Sequence, residues 1–514
     1  MPAKNIVVCC DGTGNEYGTE NSNVVKLYST LMVNEEQVAY YHPGVGTMGS
    51  ATARNRFQEG WDRLKGLAFG YGLLDNISDA YRYLMDTYAD GDQIYLFGFS
   101  RGAYTVRALG GLLRMFGLLC RGNDGLIPYI LRMYAQRTRS AAGMSRTFEM
   151  AEGFKDTYSR DVLLHFVGVW DTVNSVGWVW DPIRLPYTAC NPIMKNGRHA
   201  VSIDERRCYY RDNLWGEPFT PENKEYRVPQ DVKQVWFAGV HSDVGGSYPE
   251  GESGLSKVTL EWMLGEAAGK GLKLDMGRVD LVLGRTSPMW FVPPDPADGE
   301  HQSLQGPWWI TEVLPHRRYL KTKGKPGWVW HPGLRRHVPE GAVVHQSVIQ
   351  RMQHVEGYRP ANLTPGYSIE PAVRFACAPV AEAQQRDERL FEELTDAEKV
   401  QAVRSFKLDA EPLLDSPPKA PVKFMLLSAV VAALALLRAG LHLWPAAALV
   451  IAVMAALAKI TADKQKSANA ALSRAWEEAR KSSAYDAHKE GILKHRKGRA
   501  AAGSGGTTGG ALYA

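Results

Sequence analysis

The sequence predicts an α/β fold, a mostly parallel sheet with helices on both faces, followed by a C-terminal helical hairpin. Three observations lead there. Ile6 to Cys10, Ile94 to Phe97, Val162 to Val169 and Val232 to Val240 read as apolar strands, the pattern of a sheet covered on both faces. Helical periodicities separate them. Near the C-terminus, Phe424 to Leu437 is apolar apart from Ser428, and Ala439 to Ala458 apart from His442.

In chain order, the first strand runs into Asp11-Gly12-Thr13-Gly14-Asn15, a glycine-rich turn whose N–H groups can hold an anion. Gln37 to Tyr41 is a second strand, leading to His42-Pro43-Gly44-Val45-Gly46. A long helix follows, with Leu64, Leu67, Leu73, Leu74, Ile77, Tyr81 and Leu84 as core candidates. Ile94 to Phe97 then meets Gly98-Phe99-Ser100-Arg101-Gly102, a G-x-S-x-G elbow, and a helix burying Val106, Leu109, Leu112, Leu113 and Phe116. Two later strands end in Trp170-Asp171-Thr172-Val173 and in His241-Ser242-Asp243-Val244-Gly245-Gly246. Residues 178–225 and 278–340, rich in proline and aromatics and poorly patterned, read as insertions, the first covering the site. Leu255 to Ala268 is a helix, and Ala342-Val343-Val344 leads into His345-Gln346-Ser347-Val348 and a helix with Ile349 and Met352. The resulting division is 1–380 for the sheet domain, 381–411 for a charged helical segment and 412–421 for a linker. A transmembrane hairpin over 422–460 follows, then a charged helix and a Gly- and Thr-rich tail over 461–514.

Length and composition set limits. At 514 residues the chain exceeds one compact domain, and 45% hydrophobic with 22% charged residues is globular. A net charge of +5, with no basic block before the C-terminal tail, argues against nucleic-acid binding. The six cysteines are sparse and form no C-x-x-C pair, so disulfides are not expected. A strand begins directly after Met1 to Asn5, so no signal peptide is expected.

The chemistry gathers at strand ends, where open α/β sheets bind ligands. An elbow projects Ser100 Oγ from the sheet and turns the N–H of Arg101 toward a developing oxyanion. A second donor is expected from the Gly12–Thr13 turn, which requires the first strand to lie beside the Ser100 strand. Serine needs a base, and the base an acid. The acids on offer are Asp171 and Asp243, the bases His241 and His345. Adjacent strands lie about 4.8 Å apart. With the three late strands as neighbours, His241 must bridge about 10 Å, whereas His345 on a later loop can fold back. Ser100–Asp171–His345 is therefore favoured. Ser100–Asp243–His345 and Ser100–Asp171–His241 keep the same Ser…Asp…His order. His241-Ser242-Asp243 could otherwise support the site from outside or hold a metal with Asp11, but no ligand spacing typical of zinc is present, so neither metal nor other cofactor is expected.

Four of these segments, Asp11 to Asn15, Gly98 to Ala103, Val169 to Val173 and Gly239 to Gly246, occur in one order. Ser202-Ile203-Asp204-Glu205-Arg206-Arg207 and His345 to Val348 accompany them. Together they resemble the α/β-hydrolase domain of type VI secretion phospholipase effectors over roughly residues 4 to 360. The resemblance implies an α/β-hydrolase fold and a serine esterase acting on phospholipids, with Ser100 and Asp171 at its matching positions. It also implies a secretion-system or immunity partner.

The expected activity is thus hydrolysis of lipid esters by a membrane-associated phospholipase. Its rivals are an esterase or thioesterase on a soluble substrate with a membrane anchor, and a catalytically idle, membrane-tethered interaction module. Lys419, Lys423, Lys459, Lys464 and Lys466 flank the hairpin, against Arg438 and His442 near its turn. That bias keeps the catalytic domain on the cytoplasmic side of the producing cell, unless the chain is exported without a signal peptide.

Overall fold

Strands whose side chains alternate between two buried faces need apolar residues at every position, and the first strand shows this directly. β1 (Asn5–Cys10) is buried throughout. Ile6, Val8 and Cys10 pack on one face with Ile77, Tyr81 and Leu84 of α2 (Tyr71–Thr87) and Val106 and Leu109 of α3 (Arg101–Phe116). Val7 and Cys9 face Val24 and Leu27 of α1 (Asn23–Thr30) on the other. Each such aliphatic side chain contributes about 1.5–3 kcal/mol of burial, so the sheet is held from both sides.

The computed structural model describes residues 3–12, 18, 20–44, 71–136, 141–173, 177–178, 181–182, 185–216, 229–286, 291–305, 308–313, 316–320, 325–329, 333, 335–363 and 366–375. The remaining sheet elements are β2 (Gln37–His42), β3 (Gln93–Phe99), β4 (Leu164–Trp170), β5 (Met194–Ser202), β6 (Asp231–Phe237), β7 (Val343–His345) and β8 (Ser368–Glu370). The eight strands run in the order β8-β7-β6-β5-β4-β3-β1-β2, and every neighbouring pair is parallel. The α/β architecture expected from the sequence is therefore present, and α5 (Gly254–Ala268) packs beside α1 and over β4 and β5.

The chain leaves β1 toward β2 on one side and returns to β3 on the other. The crevice at the carboxyl ends of β1 and β3 is thus a topological switch point, where open α/β sheets bind ligands. Register brings the ends level, with Cys10 opposite Gly98 and Gly98 opposite Val169.

One expectation is corrected. The stretch 178–225 is not only an insertion, because it supplies β5, a central strand between β4 and β6. Its polar residues hide the strand pattern but are satisfied when buried. Asn196 Nδ2 donates to the His165 carbonyl at 2.7 Å, and Arg198 pairs with Asp231 and Glu266. The stretch 278–340 includes a helix, Trp308–Val313, and a hairpin, His316–Leu320 with Lys325–Val329. Leu64, Leu67 and Thr13 lie outside the described residues, as do the charged segment, linker, hairpin and tail beyond 380.

The chain divides into two units, 1–351 with 366–377 and 352–365 with 378–514. The first holds the sheet. In the second, the described residues form the end of α6 (Gln346–His354) and the turns that follow it. Among the described residues, no helix is long and apolar enough to cross a membrane.

Candidate active site

The elbow forms because two glycines let backbones touch. A Cβ on Gly98 would lie 2.5 Å from the Gly102 carbonyl oxygen, and one on Gly102 only 2.2 Å from that of Cys10. Between them Ser100 takes φ 59° and ψ −120°, a strained conformation for a residue with a side chain. Its N–H donates to the Trp170 carbonyl at 3.1 Å, tying the elbow to the end of β4.

His241 opens α4 (His241–Gly245). The turn before it contains Gly239 at φ 100°, whose N–H donates to Asp204 Oδ2 at 2.8 Å. The imidazole packs against two aromatic rings, Phe99 and Tyr210, each with its centroid 4.7 Å away. Ser100 Oγ is 2.8 Å from His241 Nε2, and His241 Nδ1 is 2.5 Å from Asp171 Oδ2. All three side chains are buried.

Asp171 sits just past β4 with φ 39°. It accepts the Ser202 N–H at 2.9 Å and both terminal nitrogens of Arg336, at 2.5 and 3.0 Å. Burial pushes its pKa up, but the Arg336 charge and the His241 hydrogen bond outweigh that and hold it well below the usual carboxylate range. An ionised Asp171 can only accept, so Nδ1 of His241 carries the hydrogen and Nε2 is left to accept from Ser100. Burial lowers the His241 pKa more than Asp171 raises it, which favours the neutral base.

Glu205 supports the histidine through its backbone. It accepts the His241 N–H at 3.2 Å and pairs with Arg207 through two contacts of 2.9 Å. Burial alone would raise its pKa; the Arg207 charge and hydrogen bond bring it down to about 2.

The structure brings together Ser100, Asp171 and His241, and not His345. The preference for His345 is corrected here. Its Nδ1 is 2.8 Å from Ser347 Oγ, its ring stacks on Phe237 at 4.6 Å, and burial pushes its pKa down to about 3. Asp243, the other acid, accepts the Val240 N–H at 3.0 Å and pairs with His301 Nδ1 at 2.6 Å, so it fastens the first turn of α4.

Of the three oxyanion candidates, Arg101 heads α3 directly after Ser100. Gly12 follows β1, which does lie beside β3, and here its N–H donates to Asp11 Oδ1 at 2.6 Å. Sequence reasoning missed Arg336 and Glu205 as parts of this site. Glu205 stood in a quoted motif without a role, whereas Leu334-Arg335-Arg336 carries no pattern that marks a buried cation.

Comparison with known proteins gives the following similarities. The family model described as "T6SS, Phospholipase effector Tle1-like, catalytic domain" matches residues 4–266. "Uncharacterized protein YEL023C" of Saccharomyces cerevisiae is 25% identical over 549 residues, covering 70% of this chain and 80% of that protein. A crystal structure of an uncharacterized protein from Pseudomonas aeruginosa is 20% identical with a TM-score of 0.29, over 53% of this chain and 47% of the other. The match thus spans about half the length of that solved protein.

Proposed function

This chain belongs to the family of T6SS phospholipase effectors, Tle1-like, through its catalytic domain, and on that premise we propose that it is a serine esterase that hydrolyses acyl esters of phospholipids at a membrane. The observation that carries the reading is the hydrogen-bonded run from Ser100 through His241 to Asp171 at the switch point of the sheet.

In this reading His241 Nε2 takes the Ser100 proton as Oγ bonds to the acyl carbonyl carbon. The carbonyl oxygen becomes an oxyanion, held by the Arg101 N–H and a donor from the Gly12–Thr13 turn. The imidazolium, paired with Asp171, returns the proton to the leaving alcohol as the ester bond breaks, and an acyl-serine remains. Water, deprotonated by His241, then releases a fatty acid and restores Ser100. General-base assistance of this kind contributes roughly 10²–10⁴-fold, and one oxyanion donor about as much as 10²–10³-fold.

Membrane association has its support in the sequence, in the apolar pair Phe424–Leu437 and Ala439–Ala458. Such a hairpin raises the effective concentration of lipid at Ser100. Family membership favours a bacterial target membrane and an immunity partner. The charge bias around the hairpin favours a cytoplasmic catalytic domain in the producing cell.

A fluorophosphonate probe tests the reading. It should label the native protein at Ser100 and fail on Ser100→Ala and on His241→Ala. Equal labelling of native protein and Ser100→Ala would overturn it.

A further inference from the structure

We propose that the Arg101 side chain is the phosphate-binding group of this site, holding the phosphodiester of a glycerophospholipid beside Ser100 and selecting phospholipids over uncharged acyl esters. The proposal rests on the reading of Ser100 as the nucleophile.

Position is the first ground. Arg101 follows Ser100 at the head of α3, so its side chain leaves the backbone one residue from the nucleophile. It is neither fully buried nor fully exposed. Its electrostatic neighbours are the phenols of Tyr209 and Tyr210. The Tyr210 ring packs edge-on against the His241 imidazole at 4.7 Å, so Arg101 interacts electrostatically with a side chain that lines the site.

The second ground is the lack of a counterion. Other arginines around the site are paired: Arg336 with Asp171, Arg207 with Glu205, and Arg335 with Asp204. Arg107 donates to the Thr188 carbonyl at 2.7 Å. Among the described residues, no carboxylate or hydrogen-bond acceptor meets the Arg101 guanidinium. Asp11, at the end of the neighbouring strand, accepts from Ser22 at 2.6 Å, Tyr41 at 2.9 Å and Gly12 at 2.6 Å. Burial lowers the Arg101 pKa, yet an arginine stays charged at physiological pH. A partly desolvated, unpaired cation is costly to maintain, and an arriving anion removes that cost.

Chemistry selects the anion. The guanidinium fork matches two phosphate oxygens at once. In a glycerophospholipid the phosphate sits on the glycerol carbon next to an acylated one, so charge and scissile carbonyl arrive as a linked pair. A cation one residue from the nucleophile can hold the first while Ser100 attacks the second. Neutral acylglycerols lack the handle.

The test compares full-length protein with Arg101→Met and Arg101→Lys in detergent micelles. The substrates are phosphatidylglycerol and a diacylglycerol with the same acyl chains. Native protein should prefer the phospholipid. In Arg101→Met the ratio of the two kcat/KM values should fall about ten- to a hundredfold, the range for one charged hydrogen-bonding partner, chiefly through KM. Arg101→Lys should recover part of it as a point charge. Inorganic phosphate, added alone, should inhibit diacylglycerol hydrolysis by native protein more strongly than by Arg101→Met, separating phosphate recognition from effects of the lipid surface. An unchanged ratio, or equal loss on both lipids in both variants, would overturn the proposal, since Arg101 would then serve the fold or the shared oxyanion. A native protein without preference for the phospholipid would overturn it too. Failure of the underlying reading is visible separately, as hydrolysis that survives Ser100→Ala.

Discussion

Asp171 is shared between a base and a cation. One of its oxygens takes the His241 Nδ1–H, and Arg336 contacts both. A carboxylate that must orient an imidazole is best held from behind, and Arg336, itself buried, does that while drawing off part of the charge. Replacing Arg336 with Met leaves a buried carboxylate short of its strongest partner, which costs about 3–5 kcal/mol and should lower Tm. It also leaves more of the Asp171 charge to act on His241, and that charge raises the His241 pKa. In the proposed mechanism His241 acts in its neutral form, so the acid limb of kcat/KM, expected below the ordinary histidine value of about 6.5 in the native protein, should move to higher pH. An unmoved limb would mean that Arg336 acts through packing alone. The two histidines separate by magnitude. His241→Ala should cost as much as Ser100→Ala, on the order of 10⁴–10⁶-fold in kcat, because such residues act as a unit. His345→Ala removes a ring stacked on Phe237 and should show its main effect in thermal unfolding, at about 1–3 kcal/mol. Equal kinetic losses at both positions would contradict this division.

Elements decide where these residues meet. The elbow depends on β1 and α3 touching, so Gly102→Ala, whose Cβ would strike the Cys10 and Asp11 backbone, should disturb Ser100 and lower kcat although no catalytic group is lost. A second element contact is titratable. His301, on the segment 291–305, lies between Asp243 and Glu252 at 2.6 and 2.9 Å and stacks on Tyr248 at 3.6 Å. The Asp243 hydrogen bond leads in raising its pKa to about 9, burial opposes, and Glu252 adds to the rise. A raised folded pKa means the contribution to stability is complete below about 6.5 and disappears as pH climbs through about 9. The Tm difference between native protein and His301→Gln should therefore be largest near pH 6 and close by pH 10. A constant difference would remove the ion pair as its cause. The same contacts explain what was legible in the sequence. The strand ends carrying Ser100 and Asp171 stood out because apolar runs stopped at polar turns. The distance argument against His241 counted two strands from Ser100, whereas β5 makes it three. It failed anyway, because the turn at Gly239 and the first residue of α4 bring the imidazole back over the sheet edge. β5 itself was hidden by Asn196, Arg198 and His199, polar residues whose partners are invisible until the chain is folded.

For the whole molecule, the site belongs to the unit that holds the sheet, and the apolar pair at 424–458 lies outside the described residues. If that pair anchors the protein, a chain ending at Asp415 should hydrolyse short soluble esters at the native rate and lose most activity on vesicles. The full chain should stay with membranes through carbonate extraction, and its release into the supernatant would contradict the anchor. The central claim, that Ser100 with His241 and Asp171 cleaves acyl esters of phospholipids, meets its most direct test in the products. Phospholipid vesicles incubated with full-length native protein and with folded Ser100→Ala should be compared by mass spectrometry. Fatty acid and lysophospholipid should accumulate together with the native protein and stay at background with Ser100→Ala. Equal release by both proteins, or products cleaved at the phosphodiester, would contradict it.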